Sequence, residues 1–170
     1  MNFKYLVLLL ATFCLSSLSY ANEIDKVEFG SELIKKNFVS YESKHAACMG
    51  LAEETALTGK DIARLRKLPN IAAEGLGYLS QRAIRECTQP EYTELVRTIL
   101  MLEAANSTNE EVSHLEEQVN SIRKLMFSAV DLNVEIGYFE LPNSLRSELE
   151  SIDSLNKPFN LLDAYQRAWN

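Results

Sequence analysis

The amino-acid sequence predicts an all-α fold, a single-domain helical bundle of about five to seven helices. Apolar residues recur in steps of three and four along most of the chain, which is typical of helices with one buried face. No stretch alternates apolar and polar residues with the β-branched enrichment of a sheet. The 170 residues are 46% hydrophobic and 24% charged, a balance that suits one globular core and excludes a multi-span membrane protein and a disordered chain.

The first predicted helix has one apolar seam. The seam consists of Ile24, Val27, Ser31, Ile34, Phe38, Tyr41, His45 and Cys48. The pattern continues through Leu51 and is expected to stop at Thr58-Gly59, because Gly59 suits the left-handed residue that often follows a last helical turn. Gly30 and Gly50 lower the helix propensity and are candidate positions for bends.

Two further helices follow, the first of them short. Residues 60–68 are basic and end before Pro69, which predicts one or two helical turns. A longer helix is predicted from Asn70. Its inner face consists of Ile71, Leu76, Leu79, Ala83 and Ile84. Gly75 and Gly77 lower its propensity, but their small size permits close approach of a neighbouring helix.

The next two helices are predicted from their start signals. Thr88 can cap a helix, Pro90 suits its first turn, and Glu91 can complete a capping box. The core face that follows consists of Tyr92, Leu95, Val96, Ile99 and Leu100. Thr108-Asn-Glu-Glu repeats the signal and begins a second helix. The buried face of that helix consists of Val112, Leu115, Val119, Ile122, Met126 and Ala129.

The C-terminal stretch is predicted as a connection followed by two short helices. Residues 137–142 read Gly-Tyr-Phe-Glu-Leu-Pro, which indicates the connection. One helix follows Asn143-Ser144, and Pro158 opens the final helix. The apolar residues are Leu145, Leu149 and Ile152 in the first of these and Phe159, Leu162, Tyr165 and Trp169 in the second.

The N-terminal residues 1–21 predict a secretory signal peptide. Lys4 precedes a short apolar run, and Ser19 and Ala21 are small residues at the −3 and −1 positions of a cleavage site. An uncleaved anchor is the alternative. Cleavage leaves a helical domain of residues 22–170, which we expect to be periplasmic or secreted and to have no membrane span. The formal net charge changes from −7 to −8 because only Lys4 is lost, which makes nucleic acid an improbable partner.

Cleavage of the signal peptide also removes one of the three cysteines. Cys14 leaves with the signal, so that Cys48 and Cys87 remain. Two cysteines in an exported protein predict one disulfide, and two free buried thiols are the alternative. The bridge would close a loop of about 40 residues and stabilise the fold by about 4 kcal/mol on the chain-entropy estimate.

The sequence offers little for metal or catalytic chemistry. His45, Cys48 and Met49 lie within one helical turn and could bind a soft ion such as Cu(I), but packing in the seam and a disulfide explain them better. No motif for a nucleophile, a nucleotide phosphate or a zinc site is present. We therefore expect no metal, no cofactor and no catalytic residues.

Charge is unevenly distributed along the sequence, because residues 60–85 form a basic segment. It contains Lys60, Arg64, Arg66, Lys67, Arg82 and Arg85 against Asp61 and Glu74, a net charge of +4 in an acidic chain. Arginine binds carboxylates and phosphates well, so we predict a binding role for Arg64, Arg66, Lys67, Arg82 and Arg85. Salt bridges within the bundle are the alternative use of these side chains.

These features predict a non-enzymatic exported helical protein that binds another protein. An inhibitor, an immunity protein or a secretion-accessory factor would fit this description. The alternative is a small all-α enzyme or carrier that binds an anionic small molecule through the basic segment, with Arg64, Arg82 and Arg85 as its ligands.

Overall fold

The computed structural model describes residues 25–106, 115–127 and 129–170. All regular structure in these ranges is helical, and the all-α prediction is confirmed. The helices are α1 Lys26–Glu54, α2 Gly59–Leu65, α3 Ala72–Cys87, α4 Glu91–Asn106, α5 Glu116–Met126, α6 Ala129–Glu140, α7 Asn143–Glu150 and α8 Leu161–Trp169, with a 3-10 helix at Asp153–Asn156. The predicted signal peptide and the start signal at Thr108 lie outside the described residues. None of the described helices is long and apolar enough to cross a membrane.

Helix α1 is a single helix of 29 residues. Asp25 caps its N-terminus, because one carboxylate oxygen accepts hydrogen bonds from the backbone N–H of Val27 at 2.8 Å and of Glu28 at 3.1 Å. Gly30 is buried against α5, where an added Cβ would lie 2.6 Å from the Leu115 Cδ1 atom. This glycine therefore permits close helix packing, and α1 continues through it.

The prediction that Gly59 ends the first helix in a left-handed conformation is wrong. Helix α1 ends at Glu54, and Gly59 is the first residue of α2. Thr58 caps α2, since its hydroxyl oxygen accepts from the Asp61 N–H at 3.2 Å and the hydroxyl donates to the Asp61 carboxylate at 2.8 Å. No described glycine has a positive φ. The N-terminal cap of α2 at Thr58 therefore determines the backbone conformation of Gly59.

Two other predicted boundaries need correction. Thr88 ends α3, because its hydroxyl donates back to the Arg85 carbonyl at 2.8 Å. The final helix begins at Leu161 after the cap Asn160, so Phe159 is a buried residue ahead of it. Asn160 also connects the start of α8 to the end of α1, since its side-chain amide donates to the Glu53 carbonyl at 2.9 Å.

Residues 137–142, predicted as a connection, also need correction. Helix α6 runs through this stretch to Glu140, so that only Leu141 and Pro142 connect it to α7. Tyr138 is 2% exposed and its ring stacks on Tyr78 of α3 with the ring centroids 4.1 Å apart. Packing against α3 therefore holds the helix together across Gly137.

The buried side chains form two main clusters. The larger is built by α2, α3, α6, α7, the 3-10 helix and α8, and consists of Leu57, Ile62, Leu65, Ala72, Leu76, Leu79, Tyr138, Leu141, Leu145, Leu149, Ile152, Leu155, Phe159, Ala164 and Ala168. The smaller is built by α1, α4 and α5, and consists of Ile34, Leu95, Ile99, Leu102, Leu115, Val119 and Ile122. We call them the large cluster and the small cluster.

The two clusters meet where α1 packs against α3. Cys48 of α1 and Cys87 of α3 form the predicted disulfide there, with the sulfur atoms 2.05 Å apart. Ala52 and Ile84 are buried beside the bridge. The disulfide therefore fastens the small cluster to the large one.

Candidate functional site

Two residues of the predicted basic binding segment are used to hold the bundle together. The Arg64 guanidinium forms an ion pair with Glu148 at 3.3 Å and donates to the Ser151 carbonyl at 3.1 Å, which connects α2 to α7. The Arg66 Nε donates to the Arg167 carbonyl at 2.9 Å, which connects α2 to the end of α8. Both side chains therefore have partners inside the chain.

Arg82 is held in a network on the large cluster. Its guanidinium donates to the Asn156 side-chain oxygen at 2.7 Å and pairs with Glu150 at 3.3 Å. The Tyr138 hydroxyl donates to the same Glu150 oxygen at 2.6 Å. Burial and this hydrogen bond raise the pKa of Tyr138, while the bond from Tyr138 and then the contacts from Arg82 lower the pKa of the Glu150 carboxyl. The tyrosine stays neutral and the carboxylate charged across the physiological range.

Lys67 and Arg85, the other two predicted binding residues, have no side-chain partner within residues 25–106, 115–127 and 129–170. Lys67 is exposed on the segment after α2. Arg85 is partly buried near the end of α3, where it lines a cavity. The basic segment is therefore divided among several environments, and Arg85 alone of the five residues faces the cavity beside the disulfide.

This cavity lies between the two clusters and has a volume of about 270 Å³. Helices α1, α3, α4, α5 and α6 all contribute to its wall. The lining residues are Tyr41, His45, Met49, Ser80, Gln81, Ile84, Arg85, Thr88, Tyr92, Met126 and Asp131. Its size is at the lower end of the range of small-molecule pockets, and its wall combines apolar area with a few polar groups.

Aromatic side chains form one side of the cavity. The Tyr41 ring centroid is 5.5 Å from that of His45 and 6.1 Å from that of Tyr92. Burial, followed by the nearby Tyr92 and Asp131, raises the pKa of Tyr41, so its hydroxyl remains protonated and able to donate. Gln81 donates to the Asp131 carboxylate at 3.3 Å across the cavity wall.

The structure places the residues considered for copper in separate roles. Cys48 is in the disulfide, His45 lines the cavity beside Tyr41, and Met49 lies on the same wall. Among the residues that the structure describes, no group of three or more His, Cys, Asp or Glu side chains could hold a metal ion. His114 lies outside the described residues.

A second surface was not recognised in the sequence. Six large apolar side chains of α5, α6 and the residues between them are each 45% to 75% exposed, namely Leu125, Phe127, Val130, Leu132, Ile136 and Phe139. We call this set the apolar surface. Helix α6 has apolar residues on both its inner and its outer face, so its sequence shows no clear helical period. Gly137 and Pro142 gave the local signal of a connection. The i, i+4, i+7 spacing from residue 132 to 139 is the signal that could have identified it.

Part of the apolar surface is an ordered stripe along α6. Leu132, Ile136 and Phe139 share one face of the helix because their spacing is four and then three residues. Exposed Glu135 and Glu140 flank the stripe, one on each side, and neither forms an ion pair within the part of the chain that the structure describes. The stripe therefore has the anchor pattern of a helix-binding surface, with acidic edges.

Comparisons with known proteins give no further guide to the class of this protein. The chain matches no family model, and neither the curated proteins nor the solved structures include a significant match. The functional argument therefore depends on the cavity and the apolar surface themselves.

Proposed function

We propose that this chain is an exported, non-enzymatic helical protein that binds a partner protein through the apolar surface. An inhibitor, an immunity protein or a secretion-accessory factor would act in this way. The observation that supports the proposal is the concentration of six large exposed apolar side chains within residues 125–139. Three of them, Leu132, Ile136 and Phe139, share one face of α6, and exposed apolar patches commonly mark interaction sites. The disulfide supports an oxidising location for the protein.

The two glutamates beside the α6 stripe favour a basic amphipathic helix as the partner element. Glu135 and Glu140 flank the stripe, and the whole chain has a formal net charge of −7. A helix with apolar anchors in the i, i+4, i+7 pattern and lysines or arginines beside them would cover the stripe and pair with both glutamates. A second copy of the same face would place acidic edges against acidic edges, which disfavours self-association.

Designed peptides test the proposed surface before any natural partner is known. The probe is an amphipathic helix of about 18 residues with a leucine face and lysines on its polar side, and its counterpart has glutamate in place of lysine. The protein is the processed chain purified from the exported fraction, in which N-terminal sequencing should begin at Asn22. We expect calorimetry to show micromolar binding of the lysine peptide that weakens with salt, and no binding of the glutamate peptide.

A pair of matched variants locates the binding. Ile136→Asp places a charge in the centre of the stripe and should raise the Kd of the lysine peptide by about 10-fold or more. Leu100→Asp is the control, because Leu100 is 59% exposed on α4, a helix that contributes no residue to the apolar surface. Equal binding to both variants, or a dimer in sedimentation that Ile136→Asp dissociates, would overturn the proposed partner.

A further inference from the structure

The cavity is lined by a cation, Arg85, that has no partner among the described residues. The Arg85 guanidinium forms no hydrogen bond or ion pair with any side chain or backbone group of the described ranges, although the residue is partly buried. Arg64, Arg66 and Arg82 of the same basic segment all have such partners. A partly desolvated guanidinium with five free donors is a ready site for a planar anion.

The other charged group of the cavity limits what that anion can be. Asp131 lines the same cavity and accepts a hydrogen bond from Gln81. The described residues of the wall include one arginine and one carboxylate, so the cavity suits a monoanion better than a phosphate or a dicarboxylate, because extra negative charge would be repelled by Asp131. A carboxylate also matches the flat fork of Arg85.

The other side chains of the cavity wall favour an aromatic group in the rest of the ligand. Tyr41, Tyr92 and His45 offer ring surfaces, and Met49 and Met126 offer polarizable sulfur groups that pack well against aromatic rings. We infer that this cavity binds a small aromatic carboxylate, whose carboxylate pairs with Arg85 and whose ring lies against Tyr41 and Tyr92. This inference does not depend on the partner proposed for the apolar surface.

The methionines provide a direct test. Met49 and Met126 line the cavity, whereas Met101 is exposed on α4 outside it. In protein labelled with 13C at the methionine methyl groups, 3-phenylpropionate should shift the NMR signals of Met49 and Met126 and leave Met101 unchanged. We expect a Kd on the order of 0.1–1 mM for a ligand of this size. Phenethylamine and inorganic phosphate should cause no shift at the same concentration.

Variants of Arg85 test whether its guanidinium binds the carboxylate of the ligand. Arg85→Gln should raise the Kd of 3-phenylpropionate by about 10-fold or more. Arg85→Lys should raise it less, because lysine keeps the charge. Lys67→Gln is the control, since it removes an exposed cation of the same segment. Shifts at all three methionines, equal affinity in Arg85→Gln, or equal response to phenethylamine would each overturn the inference.

Discussion

At the scale of single residues, the arginines of the basic segment show that position along the sequence does not determine which groups a side chain binds. Their type and clustering correctly indicated strong donors, but the acceptors come from distant parts of the sequence. Arg64 and Glu148 are 84 residues apart, and Arg82 and Asn156 are 74 apart. The packing of α7, the 3-10 helix and α8 against α2 and α3 supplies these partners and separates the internally paired arginines from Arg85.

The Tyr138–Glu150 hydrogen bond yields a stability prediction. Tyr138→Phe removes the donor while keeping the buried ring, and should lower the free energy of unfolding at pH 7 by about 1 kcal/mol, a modest loss because Glu150 is partly solvated. Urea unfolding of both proteins measures the difference. Tyr165→Phe is the control, since this exposed hydroxyl has no described hydrogen bond.

The same pair predicts how the difference depends on pH. The pKa of Glu150 is lower in the folded state, so its contribution is present above the unfolded pKa near 4.5 and is lost as the pH falls through the folded value. The pKa of Tyr138 is raised, so its contribution is present below pH 10 and is lost at higher pH. The two proteins should therefore differ most between about pH 5 and pH 9. An undiminished difference at pH 3 would contradict this assignment.

At the scale of helices, the sequence predicted those with a clear apolar period and missed the one without. The helices at Ala72–Cys87 and Asn143–Glu150 lie where the apolar pattern placed them, and the helix at Gly59–Leu65 lies within the short segment predicted before Pro69. Helix α6 was missed, because apolar residues on its inner and outer faces conceal the period. The apolar surface could not be predicted for the same reason.

The glycine of α3 gives a prediction about helix packing. A Cβ at Gly75 would lie 2.7 Å from the Leu149 Cδ1 atom and 3.0 Å from the Leu141 Cδ1 atom, and both leucines are buried. Gly75→Ala should therefore destabilise the protein by about 1–3 kcal/mol despite its gain in helix propensity. Thermal unfolding at fixed protein concentration measures the change.

Gly50 of α1 is the matched control for Gly75. A Cβ added there meets no described atom within 4 Å, so Gly50→Ala should keep the propensity gain and stabilise the protein by about 0.5–1 kcal/mol. If both variants were stabilised equally, the close approach of α3 to α6 and α7 would be wrong.

At the scale of the whole molecule, the arrangement in two clusters is the property that no local pattern contains. The sequence indicated the disulfide, because two cysteines remain after signal cleavage, and it indicated most of the apolar faces. Which faces pack together is decided by long-range contacts, and these divide the core at the α1–α3 interface. The cavity is lined by helices that build both clusters.

Reduction of the disulfide should therefore loosen the two clusters unequally. The chain-entropy estimate for a loop closed over 39 residues is a loss of about 4 kcal/mol. Among the described residues, the small cluster has seven buried members and the large one fifteen. The main packing contact of the small cluster with the large cluster is the interface that the bridge fastens. We expect hydrogen exchange of the reduced protein to accelerate first in α1 and α4, while α3 and α7 stay protected.

The comparison is best made between the oxidised protein and a Cys48→Ala, Cys87→Ala double variant, which has no free thiols to rearrange. Exchange that accelerates uniformly in all helices would show one cooperative core, and would contradict the division into two clusters. Exchange that accelerates only in α1 and α4 has a consequence for the cavity, because the cavity wall is shared between α1 and α3. In the double variant, 3-phenylpropionate should then bind more weakly than in the oxidised protein, since the ligand must first bring the two clusters together.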